Sequence, residues 1–168
     1  LIGIVLGDGH IHKHDRCDSL RIVGDAKKMG FVTRSAQLVS SVFGKKPKIA
    51  GRRNSNGINV TLYEKNIAYR LNIPTGSRAQ YKFRIPTWIE KDRDNKIRFL
   101  RGLYEAEGSI SHHSATYTHK FIFSNMNQHL LKLVARLVRE LGFTVSISAN
   151  KTQVSRKDDV QKLSDLIQ

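Results

Sequence analysis

Two acidic residues occupy the same short context. Asp8 closes the run Leu1-Ile2-Gly3-Ile4-Val5-Leu6-Gly7-Asp8-Gly9, and 99 residues later Glu107 closes Leu100-Arg101-Gly102-Leu103-Tyr104-Glu105-Ala106-Glu107-Gly108. In each run small residues recur four apart, Gly3 with Gly7 and Gly102 with Ala106. On a helix that spacing makes a flat stripe where another backbone can approach closely. Each run therefore reads as a short helix with an acid in its last turn and a following Gly suited to a left-handed cap. An acid there is electrostatically misplaced, because a helix C-terminus already carries about half a negative charge. A cation is expected to compensate. If the two helices pair by their stripes about a pseudo-twofold axis, symmetry brings Asp8 and Glu107 to one spot. Carboxylate and carbonyl oxygens in that number suit Mg²⁺ or Mn²⁺, with positions kept for a phosphate. Read singly, either acid is an ordinary surface carboxylate; the repetition argues otherwise.

The repeat extends past these heads. The helical pattern from Lys27 to Phe43, stopped by Gly44, aligns with Gln128 to Leu141, stopped by Gly142. Period-2 alternation predicts strands over Gly9–His14, Ser19–Val23, Lys46–Arg53 and Gly57–Leu62 in the first copy. The second copy offers Ser109–His113, Tyr117–Ser124, Thr144–Ala149 and Thr152–Arg156, with a closing helix over Asp158–Ile167. The order is αββαββα, twice, which is an α+β fold with antiparallel sheets. The chain divides into a first repeat over 1–73, a connector over 74–98 that carries Arg78, Lys82, Arg84, Lys91, Arg93 and Lys96, and a second repeat over 99–168.

On these residues the chain resembles the LAGLIDADG homing endonucleases of the single-chain, two-motif type. Leu100–Gly108 is the closer of the two motifs; the first carries Leu6 where the pattern usually has an acid and Gly7 where it has Ala. The resemblance implies a monomer whose motif helices form the inter-repeat interface and whose sheets form a saddle over double-stranded DNA with a long, near-unique target site. It also implies that Asp8 and Glu107 bind divalent metal, each serving one strand, and that phosphodiester hydrolysis leaves 3′ overhangs. Members of the family carry a basic residue beside each metal site. Lys82, just ahead of Ile85-Pro86, is the candidate for the first, with Arg84 and Arg78 as rivals. For the second site, Lys151 or Lys157 is available.

Charge supports a polyanionic partner independently of the resemblance. The 168 residues hold 29 Lys+Arg against 14 Asp+Glu, a net charge of +15, of which +12 lies in residues 1–98 and +3 in residues 99–168. An apolar fraction of 39% is enough for a packed core, and no run approaches the roughly 18 apolar residues of a membrane span. Alternation places Lys46, Lys48 and Arg52 on one strand face with Ile49 on the core side. It sets Asn59 and Thr61 opposite Ile58, Val60 and Leu62, and Ser146 and Ser148 opposite Val145 and Ile147. Such donor-rich ribbons suit a major groove.

His10, His12 and His14 share one strand face and lie near Asp15, Cys17 and Asp18, but no second cluster of ligand spacing accompanies them, so zinc is not expected. Trp88, beside Pro86, is expected to anchor the connector in the core. A lone Cys17 excludes an internal disulfide, and Leu1 opens without a signal-peptide pattern, so an intracellular location beside the target DNA is expected. The same scaffold could instead serve an RNA-splicing maturase or a non-cleaving DNA-binding regulator.

Overall fold

A computed structural model of the chain describes residues 1–113 and 118–167. The fold divides into two compact units, Leu1–Ser77 and Arg78–Gln168. In the first, α1 (Ile2–Gly7) runs directly into β1 (Gly9–Lys13), which turns into β2 (Asp18–Asp25). A short 3₁₀ turn, Ala26–Lys28, leads into α2 (Met29–Phe43), and β3 (Lys48–Gly51), β4 (Gly57–Glu64) and α3 (Ile67–Leu71) follow. The second unit has α4 (Thr87–Lys91), α5 (Arg93–Glu107), β5 (Gly108–His113), β6 (Thr118–Ser124), α6 (Gln128–Glu140), β7 (Ser146–Ser148), β8 (Lys151–Val154) and α7 (Lys157–Ile167). From α1 and from α5 onward the order is αββαββα, as the repeat predicts. The strand start expected at Tyr117 lies outside the described residues, as do the side chains of His112 and His113.

Each unit holds one four-stranded antiparallel sheet, ordered β1-β2-β4-β3 in the first and β5-β6-β8-β7 in the second. Alternation sorts the sheet residues. Ile11, Leu20, Ile22, Val60 and Leu62 are buried against Val32, Val39 and Phe43 of α2, whose C-terminus closes on Gly44 at φ 69°. In the second unit Phe121, Phe123 and Val154 pack with α5, α6 and α7; Tyr104 of α5 meets the Phe121 ring edge-on at 4.4 Å. Burial pushes the Tyr104 hydroxyl above its ordinary pKa. Buried Leu130, Leu131, Val134, Leu137 and Val138 form the apolar stripe expected of α6. Among the described residues no helix is long and apolar enough to cross a membrane.

Four expectations are corrected. Ile49 of β3 is 51% exposed and Ile147 of β7 is 41% exposed; both lie on the outermost strand of their sheet, with no neighbouring strand on one side. Lys46 and Arg52 flank β3 rather than belong to it. Trp88 is 58% exposed; Ile89, one residue on, fills the core position in α4. Finally, the glycines that follow the motif acids are not left-handed. Asp8 has φ −93° and Gly108 has φ −87° with ψ 155°, and Gly9 is not among the positive-φ glycines.

Those two glycines are required for space instead. A Cβ on Gly9 would stand 2.6 Å from Val5 Cα and 2.7 Å from the Val5 carbonyl oxygen; one on Gly108 would stand 2.4 Å from the Tyr104 oxygen. The chain folds back from helix to strand over the helix's own last turn, and only hydrogen fits. Gly9→Ala and Gly108→Ala are each expected to cost roughly 1–3 kcal/mol, since rigid backbone must move. Gly30→Ala, in α2 with nothing within 4 Å, is expected to stabilise by about 0.5 kcal/mol. Urea denaturation of the three variants checks both signs.

Candidate functional site

In both units an acid ends a buried helix and a strand begins at the next residue. α1 is only six residues long and buries Gly3, Ile4, Val5 and Leu6, so packing rather than propensity holds it. Asp8 is its C-cap, with its N–H donating to the Ile4 carbonyl at 3.0 Å. α5 is longer and better anchored. Asp92 caps its start by accepting from Asn95 N at 2.7 Å, and Phe99, Leu100, Leu103 and Tyr104 are buried along it. Gly102 is buried and Ala106 half-buried, as are Gly3 and Gly7 in α1.

The last turn of α5 holds two acids in different states. Glu105 is paired with Arg101, four residues before it, at 2.9 Å. Glu107 is half-buried and has no salt bridge among the described residues; its polar side-chain contact there is Asn125 Nδ2, 3.4 Å from Oε1. Burial raises its pKa above the usual carboxylate value. A desolvated carboxylate beside a helix C-terminus is destabilised as an anion, and a hard divalent cation answers that destabilisation. Among the described residues no group of three or more His, Cys, Asp or Glu could hold a metal ion.

The strand after each acid belongs to a sheet with one polar face. In the first unit the register lines His10, Arg21, Thr61 and Lys48 in a single row across all four strands. Asn59 stands in the next row between Val23 and Ala50. Lys46 and Arg52 are exposed at the two ends of β3. In the second unit the corresponding row is Ser109, Ile122, Gln153 and Ser146, and Ser148 pairs with Lys151, itself opposite Ser124. The first row is cationic and the second neutral, which extends the uneven charge of the sequence to the level of single cross-strand rows. Arg21 was missed from the sequence although Leu20 and Ile22 flank it with buried side chains, an alternation that already marked it.

Candidates elsewhere are distributed as follows. Arg78, Lys82 and Arg84 all lie in the second unit. Lys82 and Arg84 are exposed, whereas Arg78 is half-buried and its guanidinium pKa is lowered by that burial. His10 and His12 of β1 and His14 just beyond it contact one another. The rings of His10 and His12 stack at 6.5 Å, His14 meets His12 edge-on at 4.5 Å, and His14 Nε2 shares a hydrogen bond with Ser19 Oγ at 3.0 Å. Asp18 is buried, with Oδ2 accepting from Ala68 N at the start of α3. That contact ties β2 to the first turn of α3.

The raised pKa of Glu107 has a testable sign. A carboxyl whose folded-state pKa lies above its unfolded value binds protons more tightly when folded, so it favours folding below that window and loses this contribution as pH rises through it. At neutral pH without metal, Glu107→Gln is therefore expected to raise Tm relative to wild type, and the difference should vanish below the usual glutamate pKa. Added Mn²⁺ is expected to stabilise wild type more than the variant. Thermal melts across pH, with and without metal, check all three.

Residues 94–167 match the family model of the LAGLIDADG-like domain. No curated protein sequence matches the chain. By structure it is similar to mesophilic variants of the homing endonuclease I-DmoI, with TM-score 0.65 and 18% identity over 99% of this chain and 91% of that one. I-DmoI has also been solved in complex with DNA and Mn, and with DNA and Ca. The N-terminal LAGLIDADG domain of DUF199/WhiA is similar with TM-score 0.63 and 14% identity over 99% of this chain and 78% of that one. The LAGLIDADG meganuclease I-AabMI bound to uncleaved DNA follows with 0.58 and 16% over 98% and 80%. Residues 94–167 thus match the LAGLIDADG-like domain, and the chain as a whole has the fold of the LAGLIDADG homing endonucleases.

Proposed function

We propose that the protein is a site-specific DNA endonuclease that hydrolyses phosphodiester bonds in both strands with Mg²⁺ or Mn²⁺ and leaves 3′ overhangs. The observation that carries this function is Glu107: a half-buried carboxylate, raised in pKa by burial and without a salt bridge, placed where a helix ends and a polar-faced sheet begins. Asp8 stands at the matching junction of the first unit. In this function Asp8 and Glu107 hold the metal, each for one strand. A divalent cation bound there supplies positive charge against the negative charge that builds on the phosphate, together with activation of water. Lys82, with Arg78 and Arg84 near it in sequence, supplies further positive charge toward the phosphate. The substrate is a long duplex site, and the chain acts as a monomer wherever that DNA resides.

The sheet faces bind the duplex. Arg21, Lys48 and Thr61 in one row, with Asn59 beside it, offer the donors that read base edges in a major groove; exposed Lys46 and Arg52 suit phosphates. Ser146, Ser148, Gln153 and Lys151 perform the same task on the second sheet with less charge.

Cutting of a plasmid bearing a site selected from a randomised duplex library is the direct test. Asp8→Asn and Glu107→Gln should each lower double-strand cleavage about a thousandfold or more, the several kcal/mol that a metal contributes to such a transition state. Duplex affinity should stay within a few-fold. Tight duplex binding with no cleavage under any divalent cation would replace the nuclease with a non-cleaving DNA-binding protein, and tight binding of intron RNA alone would point to a splicing role.

Salt dependence tests the surface. Neutralising Lys46, Lys48 and Arg52 together should reduce the slope of log K against log salt by about two to three units, each phosphate contact contributing roughly 0.9. Neutralising Lys151, Arg156 and Lys157 should reduce it less. Equal reductions would overturn the assignment of phosphate contacts chiefly to the first unit.

A further inference from the structure

Asn127 is a buried polar residue, only 7% exposed, with every side-chain hydrogen-bonding position engaged. As the N-cap of α6 its Oδ1 accepts from His129 N at 2.9 Å and Leu130 N at 3.1 Å. Its Nδ2 donates to the Arg78 carbonyl and to the Tyr81 carbonyl, both at 2.8 Å. Its backbone N–H donates to Asn125 Oδ1 at 2.8 Å. That last bond settles which way the Asn125 amide faces: with Oδ1 turned to Asn127, Nδ2 is turned to Glu107, 3.4 Å away. Asn125 is itself anchored, its N–H donating to the Asn150 carbonyl at 3.0 Å.

A helix cap alone does not call for this residue. Ser, Thr or Asp would accept the same two N–H groups, but none of them can also donate two hydrogen bonds from the opposite side of the cap. The stretch 78–82 has no helix or strand of its own, and two of its carbonyls are bound by this one amide. We propose that Asn127 is a positioning residue that fixes Glu107, through Asn125, and the Lys82-bearing segment in a single register, so that the metal-binding acid and the basic segment move together. This role rests on the nuclease function proposed above. It also links the two strands of the substrate, because Glu107 serves one and Lys82, by its place just ahead of Ile85-Pro86, is the candidate for the site that serves the other.

The test uses the full chain. Asn127→Ser and Asn127→Asp keep an acceptor for the α6 cap and remove both amide donors; Asn125→Ala removes the Glu107 contact and leaves residues 78–81 fastened. In the Asn127 variants, amide hydrogen exchange over residues 78–84 should accelerate about tenfold, while α6 keeps its protection and duplex affinity measured without divalent cation stays within twofold. Plasmid cleavage should slow about 10- to 100-fold on both strands, the range typical when a residue that orients a metal ligand is lost. Asn125→Ala should slow only the strand served by Glu107, so nicked plasmid accumulates. Wild-type cleavage rates in both Asn127 variants would overturn the proposal, as would exchange that rises equally throughout the second unit, the result of a purely structural cap. If wild type cuts no duplex, the nuclease function fails separately, and the exchange pattern still decides whether Asn127 fastens the 78–84 segment.

Discussion

The structure depends on one steric constraint, the absence of any loop between a buried helix and the strand that follows it. At Gly9 and Gly108 the backbone turns back over the last helical turn so closely that a methyl group would collide with main-chain atoms of Val5 and Tyr104. The residue just before each glycine is thereby held at the junction of helix end and sheet edge, with little freedom of its own. In both units that residue is an acid. A carboxylate placed there faces the negative end of the helix and, at Glu107, loses part of its water as well. Stability alone would not select a half-buried carboxylate at such a position, and the ligand role proposed for it is consistent with that cost.

The contrast with neighbouring acids sharpens that point. Glu105 is neutralised by Arg101 one turn earlier. Asp18 is buried but accepts the N–H that opens α3. Asp92 and Asp25 cap a helix and a 3₁₀ turn through their oxygens. Each of these has an ordinary structural partner, whereas Glu107 has an amide at the limit of hydrogen-bonding distance and no cation. Proximity to a motif would not have distinguished Glu105 from Glu107; pairing does.

The two sheets share a topology and differ in what their polar faces carry. Antiparallel register converts alternation along each strand into rows across the sheet, and in the first unit such a row collects His10, Arg21, Thr61 and Lys48. The matching row of the second unit is neutral. The two sheets thus repeat one strand order with unequal charge on their polar faces. Ile49 and Ile147 stand on the outermost strand of their sheets, open on one side, and are exposed there.

What the sequence determined by itself was set by local and periodic rules. The 99-residue repeat, the acid at the end of each motif helix, the αββαββα order and the polar face of β4 all follow from spacing that any one segment displays. What only the tertiary structure decided involved partners distant in the chain or the absence of one. The glycines after the acids serve close approach rather than left-handed geometry, because the strand's path over the helix is not encoded in the Gly itself. Ile49 and Trp88 are exposed because burial depends on which element covers a position, not on residue type. The hold of Asn127 on Arg78 and Tyr81, nearly fifty residues earlier, exists only once the chain has folded back on itself, since an amide's two ends can be satisfied only by groups that the fold brings to it.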